Sequence, residues 1–424
     1  MTAASTPTPR PGLMDLSDAL GQLLAQATTL SESETVPTVD ADGRVLSQDI
    51  VSELQVPPQD NSSMDGYAVR SADISSSGAI LTVTQRIPAG HHGKALNAGE
   101  AARIFTGAPI PPGADAVVMQ EHVSTLPQAH ADAMSQIQLS TQPSKGQWIR
   151  RSGEDVSRGS TVLQKGHRLN PASLGLAASI GLAKLQVVRK PRVALFSTGD
   201  ELVMPGDVLP SDMAPGAIYN SNRFFLLALL RRLGCEVTDL GIVPDRFDLT
   251  VAALQTAAAD HDLILTSGGV SVGEEDHVKP AVQSLGQLDL WQIAMKPGKP
   301  FAYGQVRQGE RSAHFVGLPG NPVSSFVTFL LLVRPFLLSL QGVPFTEPPR
   351  CAMPVHFDLP QADRRREFLR VRRNAQGGLD LYPNQSSGVL TSAVWADGLI
   401  DHPAGKTLRQ GDIVNYLSLA DLLA

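Results

Sequence analysis

Residues 263–300, LILTSGGVSVGEEDHVKPAVQSLGQLDLWQIAMKPGKP, constrain this chain more than any other stretch. They open on Leu263-Ile264-Leu265, a short unbroken apolar run of the kind found in strands buried on both faces. The run ends at Thr266-Ser267, and Gly268-Gly269 follow. Two glycines let the backbone approach a ligand closely and take positive φ where a side chain would clash. Successive backbone N–H groups in such a loop form a concavity for anions. Glu274, Glu275 and Asp276 come next, carboxylates suited to holding Mg²⁺ against phosphate oxygens. The stretch closes on Lys296-Pro297-Gly298-Lys299-Pro300, two cations on a stiff, turn-prone frame. Cradle, acids and lysines together suit a phosphorylated or oxyanionic ligand.

With 424 residues the chain is too long for one ordinary domain, and three or four are expected. A net charge of -6 argues against non-specific nucleic-acid binding, which needs a cationic surface. The two cysteines, Cys235 and Cys351, are far apart and show no metal-ligand spacing. Neither a disulfide framework nor a cysteine zinc site is expected, and a reducing cytoplasm is the default. The opening MTAASTPTPRPG lacks the apolar core of a secretory signal. The longest apolar runs, near 224–230 and 326–333, stop at arginines, short of membrane-spanning length.

In chain order, 1–12 read as a disordered tail. Leu13, Leu16, Leu20, Leu23 and Leu24 recur at helical spacing and predict an amphipathic helix over 15–29. Its leucine stripe must be buried, and packing on the later α/β region would bury it. Segments 36–48 and 49–56 read as strands of a hairpin around the Asp42-Gly43 turn. Asp65-Gly66, within DNSSMDGYAVR, reads alone as an ordinary turn. Residues 79–149 carry short β-type runs broken by Gly and Pro. Among them Thr106 precedes Gly107 at a strand-to-loop break, which alone reads as a rigid surface loop. Gly153-Glu154-Asp155 begins a return segment, and 171–182 read as a helix.

From Pro191 the character is α/β. Strands are predicted at 192–196, 236–241 and 263–265, helices at 222–233 and 249–259, and a strand pair at 301–305 and 314–317. A long helix should run from Pro322 to about 340, with Asn321 as N-cap and Pro322 at the first position. Pro335 should kink or shorten it. This alternation predicts a mostly parallel, doubly wound sheet, with ligands outside the carboxyl ends of its strands. The loops carrying Glu201, Asp245, 268–276 and 319–322 all fall on that edge. Past 343, Pro344, Pro348, Pro349 and Pro354 form a linker before further short strands. The basic run RRREFLRVRR at 364–373 reads as a solvated edge strand or as an oxyanion-facing rim.

The order of these motifs resembles the molybdopterin molybdenumtransferase family, the MoeA proteins and the E domain of gephyrin. The matching segments are SMDGYAVR at 63–70, RIFTG at 103–107, Gly153-Glu154-Asp155, STGDEL at 197–202, SGGVSVGEED at 267–276, KPGKP at 296–300 and LPGNPVS at 318–324. They span nearly the whole chain, from about 13 to 420. The resemblance implies an elongated N-terminal domain (13–50 and 150–190), an inserted β-rich domain (51–149), an α/β domain (191–341) and a C-terminal β-barrel (342–424). It implies a cytoplasmic homodimer that inserts molybdenum from molybdate into adenylylated molybdopterin, with Mg²⁺-dependent release of AMP. The dithiolene sulfurs belong to the pterin, so no cysteine ligand is needed. An adenylyltransferase upstream and molybdoenzyme acceptors downstream are the implied partners.

Residue by residue, the resemblance points to Asp65, Glu201, Asp245 and Asp276 around Mg²⁺ and the nucleotide, with the last three as metal ligands. It places Thr106 and Asp155 across the cleft from the other subunit's α/β domain. Ser267, Gly268, Gly269, Ser271, Gly273 and the Pro319-Gly320-Asn321-Pro322 loop would hold the substrate. Lys296 and Lys299, with Arg370 and Ser387, would hold molybdate; lysine acts as a compact charge and arginine as a donor fork. The chain departs from the family where Arg246 follows Asp245 in place of a second acid, leaving Asp248 or a smaller acid set to serve. It departs also at His277, where a tyrosine is usual, in the Arg364-Arg365-Arg366 run, and in a short span between Arg370 and Ser387. Rival readings are the adenylyltransferase that activates molybdopterin, a non-catalytic pterin-binding scaffold, and an unrelated Mg²⁺-dependent nucleotide hydrolase. The β-rich segments flanking the α/β module have no place in the first, and the retained acids and lysines argue against the second. The third would not require the other six motifs.

Overall fold

The computed structural model describes residues 13–127, 134–269 and 277–423. Its first elements are α1 (Leu16–Ala25), β1 (Ser33–Pro37) and β2 (Ile50–Val51). A β-rich unit follows: β3 (Asn61–Ser62), β4 (Gly66–Val69), β5 (Ile80–Ile87), β6 (Glu100–Ile104), β7 (Ala116–Met119), β8 (Val123–Thr125), β9 (Gln136–Leu139) and β10 (Ile149–Arg150). The chain returns through β11 (Thr161–Leu163), α2 (Pro171–Ser179) and β12 (Lys184–Val188). The hairpin expected around Asp42-Gly43 does not form. The turn is there, with Gly43 at φ 72°, but β1 pairs with β12 and β2 with β11, both antiparallel. Partners over a hundred residues away bury Leu46, Leu185 and Val187 in one core, which a local hairpin would leave wet. In the β-rich unit a six-stranded sheet runs β7-β4-β6-β5-β9-β8.

The α/β region comprises β13 (Arg192–Ser197), β14 (Leu202–Val203), β15 (Ile218–Tyr219), α3 (Ser221–Arg232), β16 (Glu236–Ile242), α4 (Phe247–Asp260), β17 (Leu263–Ser267), α5 (Val278–Leu285), β18 (Gly286–Gln292), β19 (Met295–Lys296), β20 (Pro300–Gln308), β21 (Arg311–Leu318) and α6 (Pro322–Leu340). Its sheet has the order β16-β13-β17-β21-β20-β18, and β20 alone runs opposite to the other five strands. Every residue of β17 is buried. Leu263 and Leu265 face a core shared with α1, α3 and α6, while Ile264 faces α4 and α5. Period-two alternation thus feeds two apolar layers, which is why the run carries no polar residue before Thr266. The strand order reverses between β13 and β17, the switch point where such sheets open a crevice at their carboxyl ends.

Helix α1 starts where the Asp15 carboxylate accepts from the Ser17 amide at 2.7 Å. Its Leu16, Ala19 and Leu23 are buried against α6 and the sheet, and Met14 forms a parallel bridge with Ile293. Helix α6 runs through Pro335 without shortening. A π-turn at Phe329–Val333 widens the ladder just before the proline, which has no N–H to offer and whose ring crowds the preceding turn. At 19 residues it is long and apolar enough to cross a membrane, yet most of it is buried in the core of this domain.

The C-terminal elements are β22 (Cys351–Pro354), β23 (Arg366–Arg373), β24 (Leu379–Leu381), α7 (Leu390–Trp395), β25 (Gly398–His402), β26 (Ile413–Ser418) and α8 (Leu419–Leu423). Pairing runs β22-β26-β25-β23-β24, and a bridge from Val355 to Leu379 leads back from β24 to the end of β22.

Candidate functional site

A cleft of about 770 Å³ opens at the carboxyl ends of β13, β17 and β21, above the first turns of α3 and α6. Glu201 comes to it from the loop after β13, Asp245 from the loop after β16, Ser267-Gly268-Gly269 from the end of β17, and Pro319–Pro322 from the loop before α6. Gly388 enters from the C-terminal region. The paired glycines have a steric cause. Gly268 and Gly269 sit at φ 91° and 69°, and a methyl group on the first would lie 2.8 Å from the Thr198 carbonyl. Ser271, Gly273, Glu274, Glu275 and Asp276 lie outside the described residues.

Asn222, in the first turn of α3, ties these loops together. It is 8 % exposed, and its amide nitrogen donates to Ser267 Oγ and to the Gly320 carbonyl, both at 2.7 Å. The Gly268 amide donates to the Leu318 carbonyl at 3.1 Å, a second tie between the same two loops. Sequence reading missed Asn222, because an asparagine two residues past the Asn220 N-cap looks like one more polar residue of a helix start. The signal was the pair itself: Asn220 caps the Arg223 amide at 3.2 Å, so a second asparagine was free for another task.

Glu201 and Asp245 have no ion-pair partner among the described residues. Asp248 does not line the cleft, and Arg246 donates to both its oxygens at 3.2 and 2.8 Å. No cluster of three or more His, Cys, Asp or Glu capable of caging a metal occurs among the described residues. Two carboxylates on a cleft still fit Mg²⁺, which takes one or two carboxylates, keeps waters, and completes its shell with substrate phosphates.

The KPGKP lysines are unequal. Lys296 pairs with Glu367 at 2.9 Å and Asp363 at 3.3 Å. Its hydrogen bond to the Glu367 carboxylate raises its pKa. Asp363 is held well below the usual carboxylate range, first by the Arg365 guanidinium. Arg366 makes a bidentate pair with Asp401, both bonds at 2.6 Å. Lys299 has no carboxylate partner among the described residues and lines a hollow of about 480 Å³ with Arg364, Arg365 and Asp363. Arg365, Arg366 and Arg373 of the basic run are paired with Asp363, Asp401 and Asp397, while Arg364 and Arg372, like Lys299, have no carboxylate partner among the described residues.

Arg370 is a correction to the sequence reading. It is 1 % exposed and donates to Ser392 Oγ at 3.2 Å, the Phe368 carbonyl at 3.1 Å and the Ser386 carbonyl at 3.4 Å. Burial pushes its pKa down to about 10. It does not offer a fork to an oxyanion; it holds the loop at 385–388 in place. Ser387 in that loop accepts from the Val323 amide at 2.9 Å through its carbonyl, which sets Gly388 at the cleft. Neither Arg370 nor Ser387 lines the Lys299 hollow.

Asp65, Thr106 and Asp155 stand apart from the cleft of their own chain. Asp65 Oδ1 accepts from both the amide and the hydroxyl of Thr106 at 2.8 Å. These bonds, the amide first, lower the carboxyl pKa. Asp155 is exposed, with its amide donating to the Val56 carbonyl at 3.0 Å.

Fold and cleft define a multidomain protein built around an α/β ligand-binding module, and the comparisons with known proteins agree. Three family models match in order: "MoeA N-terminal region (domain I and II)" over 14–181, "Probable molybdopterin binding domain" over 194–339, and "MoeA C-terminal region (domain IV)" over 352–419. The molybdopterin molybdenumtransferase of Haemophilus influenzae is 41% identical over 372 residues, covering 87% of this chain and 89% of that protein. The molybdopterin molybdenumtransferase of a Nostoc species is 34% identical over 424 residues, covering 97% and 94%. The crystal structure of the molybdopterin biosynthesis moeA protein from Pyrococcus horikoshii superposes with a TM-score of 0.81 at 29% identity, covering 96% of this chain and all of that one. The chain belongs to the molybdopterin molybdenumtransferase (MoeA) family.

Proposed function

We propose that this protein is a transferase of molybdenum cofactor biosynthesis that inserts molybdenum from molybdate into adenylylated molybdopterin and releases AMP. The observation that carries this reading is the pairing of a free-acid cleft with a separate free-lysine hollow on one chain. The cleft suits a phosphate linkage. The glycine loop and the heads of α3 and α6 present backbone N–H groups, which favour phosphate oxygens. Glu201 and Asp245, together with Asp276, would hold Mg²⁺, which supplies neutralisation of charge on the phosphates when bound. Ser267, Gly268, Gly269 and the 319–322 loop, with Ser271 and Gly273, orient the substrate. Lys299 attracts the molybdate dianion, and Lys296 braces the loop that carries it.

Asp65, Thr106 and Asp155 serve the site of a second subunit in a cytoplasmic homodimer. The support is their exposure, their absence from the lining of their own chain's cleft, and the two Thr106 bonds that lower the Asp65 pKa. The C-terminal unit is read as a small β-barrel, supported by the ring of pairings that the Val355–Leu379 bridge completes.

The test is a single-turnover assay with purified protein, adenylylated molybdopterin, molybdate and Mg²⁺, following AMP. Molybdate-dependent AMP release that falls at least ~100-fold in Glu201→Gln is expected, given how strongly phosphoryl chemistry depends on placed charge. Tight substrate binding with no molybdate-dependent turnover would sink the proposal and favour a scaffold.

A further inference from the structure

Next to the acidic cleft lies a second hollow, of about 470 Å³, within the usual range for a small-ligand pocket. Tyr219 and Ser221 line both. The character changes across them. Beyond Ser221 the walls are Pro205, Phe224, Phe326 and Val394, and no charged side chain lines them. These side chains are not tucked away: Phe224 is 53% exposed and Val394 82%. Phe225 and Phe326 meet edge to face at 5.8 Å and 84°, which fixes the floor of the shelf between α3 and α6. A contiguous apolar face open to water beside a polar cleft marks a place where a ligand or partner sits.

A ligand that fills both spaces has an anionic linkage and a flat, apolar-faced end. The substrate of the reading above has two flat ends, adenine and pterin. Position decides between them. The shelf shares residues with the phosphate cleft but none with the Lys299 hollow, where the metal oxyanion would be held. The end on the shelf is therefore the end remote from the metal, which is the adenine. Its faces need only stacking, and its polar edge stays in water because the shelf is open.

We propose that the shelf formed by Tyr219, Phe224, Phe326 and Val394 is the base site for the adenine of the adenylyl group, with Phe224 as the main stacking surface. This rests on the nucleotide reading of the neighbouring cleft and assigns residues that reading does not use. It makes the base, and not only the phosphate, a determinant of substrate choice, and it keeps AMP in place after the linkage is broken.

The experiment is equilibrium binding of AMP and of ribose 5-phosphate, with Mg²⁺, to the full chain and to Phe224→Ala and Phe224→Trp. Base–aromatic stacking predicts that Phe224→Ala weakens AMP about tenfold or more, that Phe224→Trp keeps it, and that ribose 5-phosphate is unaffected by either. Phe224 is exposed, so its truncation leaves the core intact. If the full chain binds ribose 5-phosphate as tightly as AMP, or if Phe224→Ala binds AMP unchanged, the base site is refuted while the phosphate cleft stands. If neither compound binds the full chain, the nucleotide reading itself fails and takes the base site with it. If Phe224→Ala changes the oligomeric state in sedimentation at unchanged AMP affinity, the shelf is a subunit interface.

Discussion

Asn222 is the most informative residue to perturb, because one amide nitrogen joins two ligand loops. Asn222→Ala removes two hydrogen bonds of 2.7 Å. The two losses are not equal. Ser267 is 3 % exposed, so its hydroxyl loses a partner that water does not readily replace, at about 1–3 kcal/mol. Gly320 is exposed, so water can reach its carbonyl, and the loss there is nearer ~0.5–1 kcal/mol. The sum is about 1.5–4 kcal/mol. Most of it should appear as local opening of the loops after β17 and before α6, since the two buried layers of the sheet are untouched. Hydrogen exchange is the matching assay. The Gly268 amide, bonded to the Leu318 carbonyl, should exchange ~30-fold faster for about 2 kcal/mol of lost local stability, with AMP affinity falling alongside. Asn222→Asp should be worse than alanine, because it sets a carboxylate oxygen against the Gly320 carbonyl in place of a donor. Exchange within threefold of the unaltered protein, or an aspartate better tolerated than alanine, would refute the reasoning.

The two lysines of KPGKP should separate by phenotype. Lys299→Ala should raise the KM for molybdate and leave the melting temperature in place. Lys296→Ala should lower the melting temperature by stranding the buried Glu367, at about 1–3 kcal/mol, less than a fully buried pair because Lys296 is 40% exposed; equal effects on both readouts would contradict the assignment. The same cluster sets a pH dependence. Asp363 has a depressed folded pKa, so its contribution is complete above the ordinary aspartate range and is lost as pH falls through the folded value. Lys296 has a raised folded pKa, so its contribution is complete below the ordinary lysine range and is lost only as pH rises through the higher folded value. The melting-temperature gap between the unaltered protein and Asp363→Asn should therefore persist through neutral pH and close below about pH 4; a gap that widens in acid would contradict it.

The α/β region was readable because local pattern and tertiary need coincide there. The apolar run at 263–265, the glycine pair and the helix signals at Asn321 and Pro322 each answer to one nearby cause. The same holds for Pro335, though its effect is a π-turn in an unbroken helix. What failed was whatever depended on remote partners. Nothing in 36–56 indicates that these segments pair with 161–188 and not with each other. Arginine chemistry alone does not tell a ligand-facing Arg370 from one that holds a loop, because that depends on Ser386 and Ser392 closing over it. The lysine asymmetry likewise rests on which acids the C-terminal strands deliver. Asp363 and Glu367 are about 65 residues beyond the lysines, so spacing carries no trace of it.

The largest core among the described residues holds both Leu16 and Leu23 of α1 and Leu419 and Leu422 of α8, about four hundred residues apart in sequence. On the ribosome, α1 emerges first and has nothing to cover its leucines until the sheet and α6 exist. That core is complete only after residue 422 has cleared the exit tunnel. Contacts of such sequence separation slow folding and leave apolar surface uncovered meanwhile. Synthesis of this enzyme should therefore lean on chaperones that shield the nascent amino-terminal helix. Chains stalled before residue 419 should be cleared as incomplete, even though every residue of the proposed site has already been made.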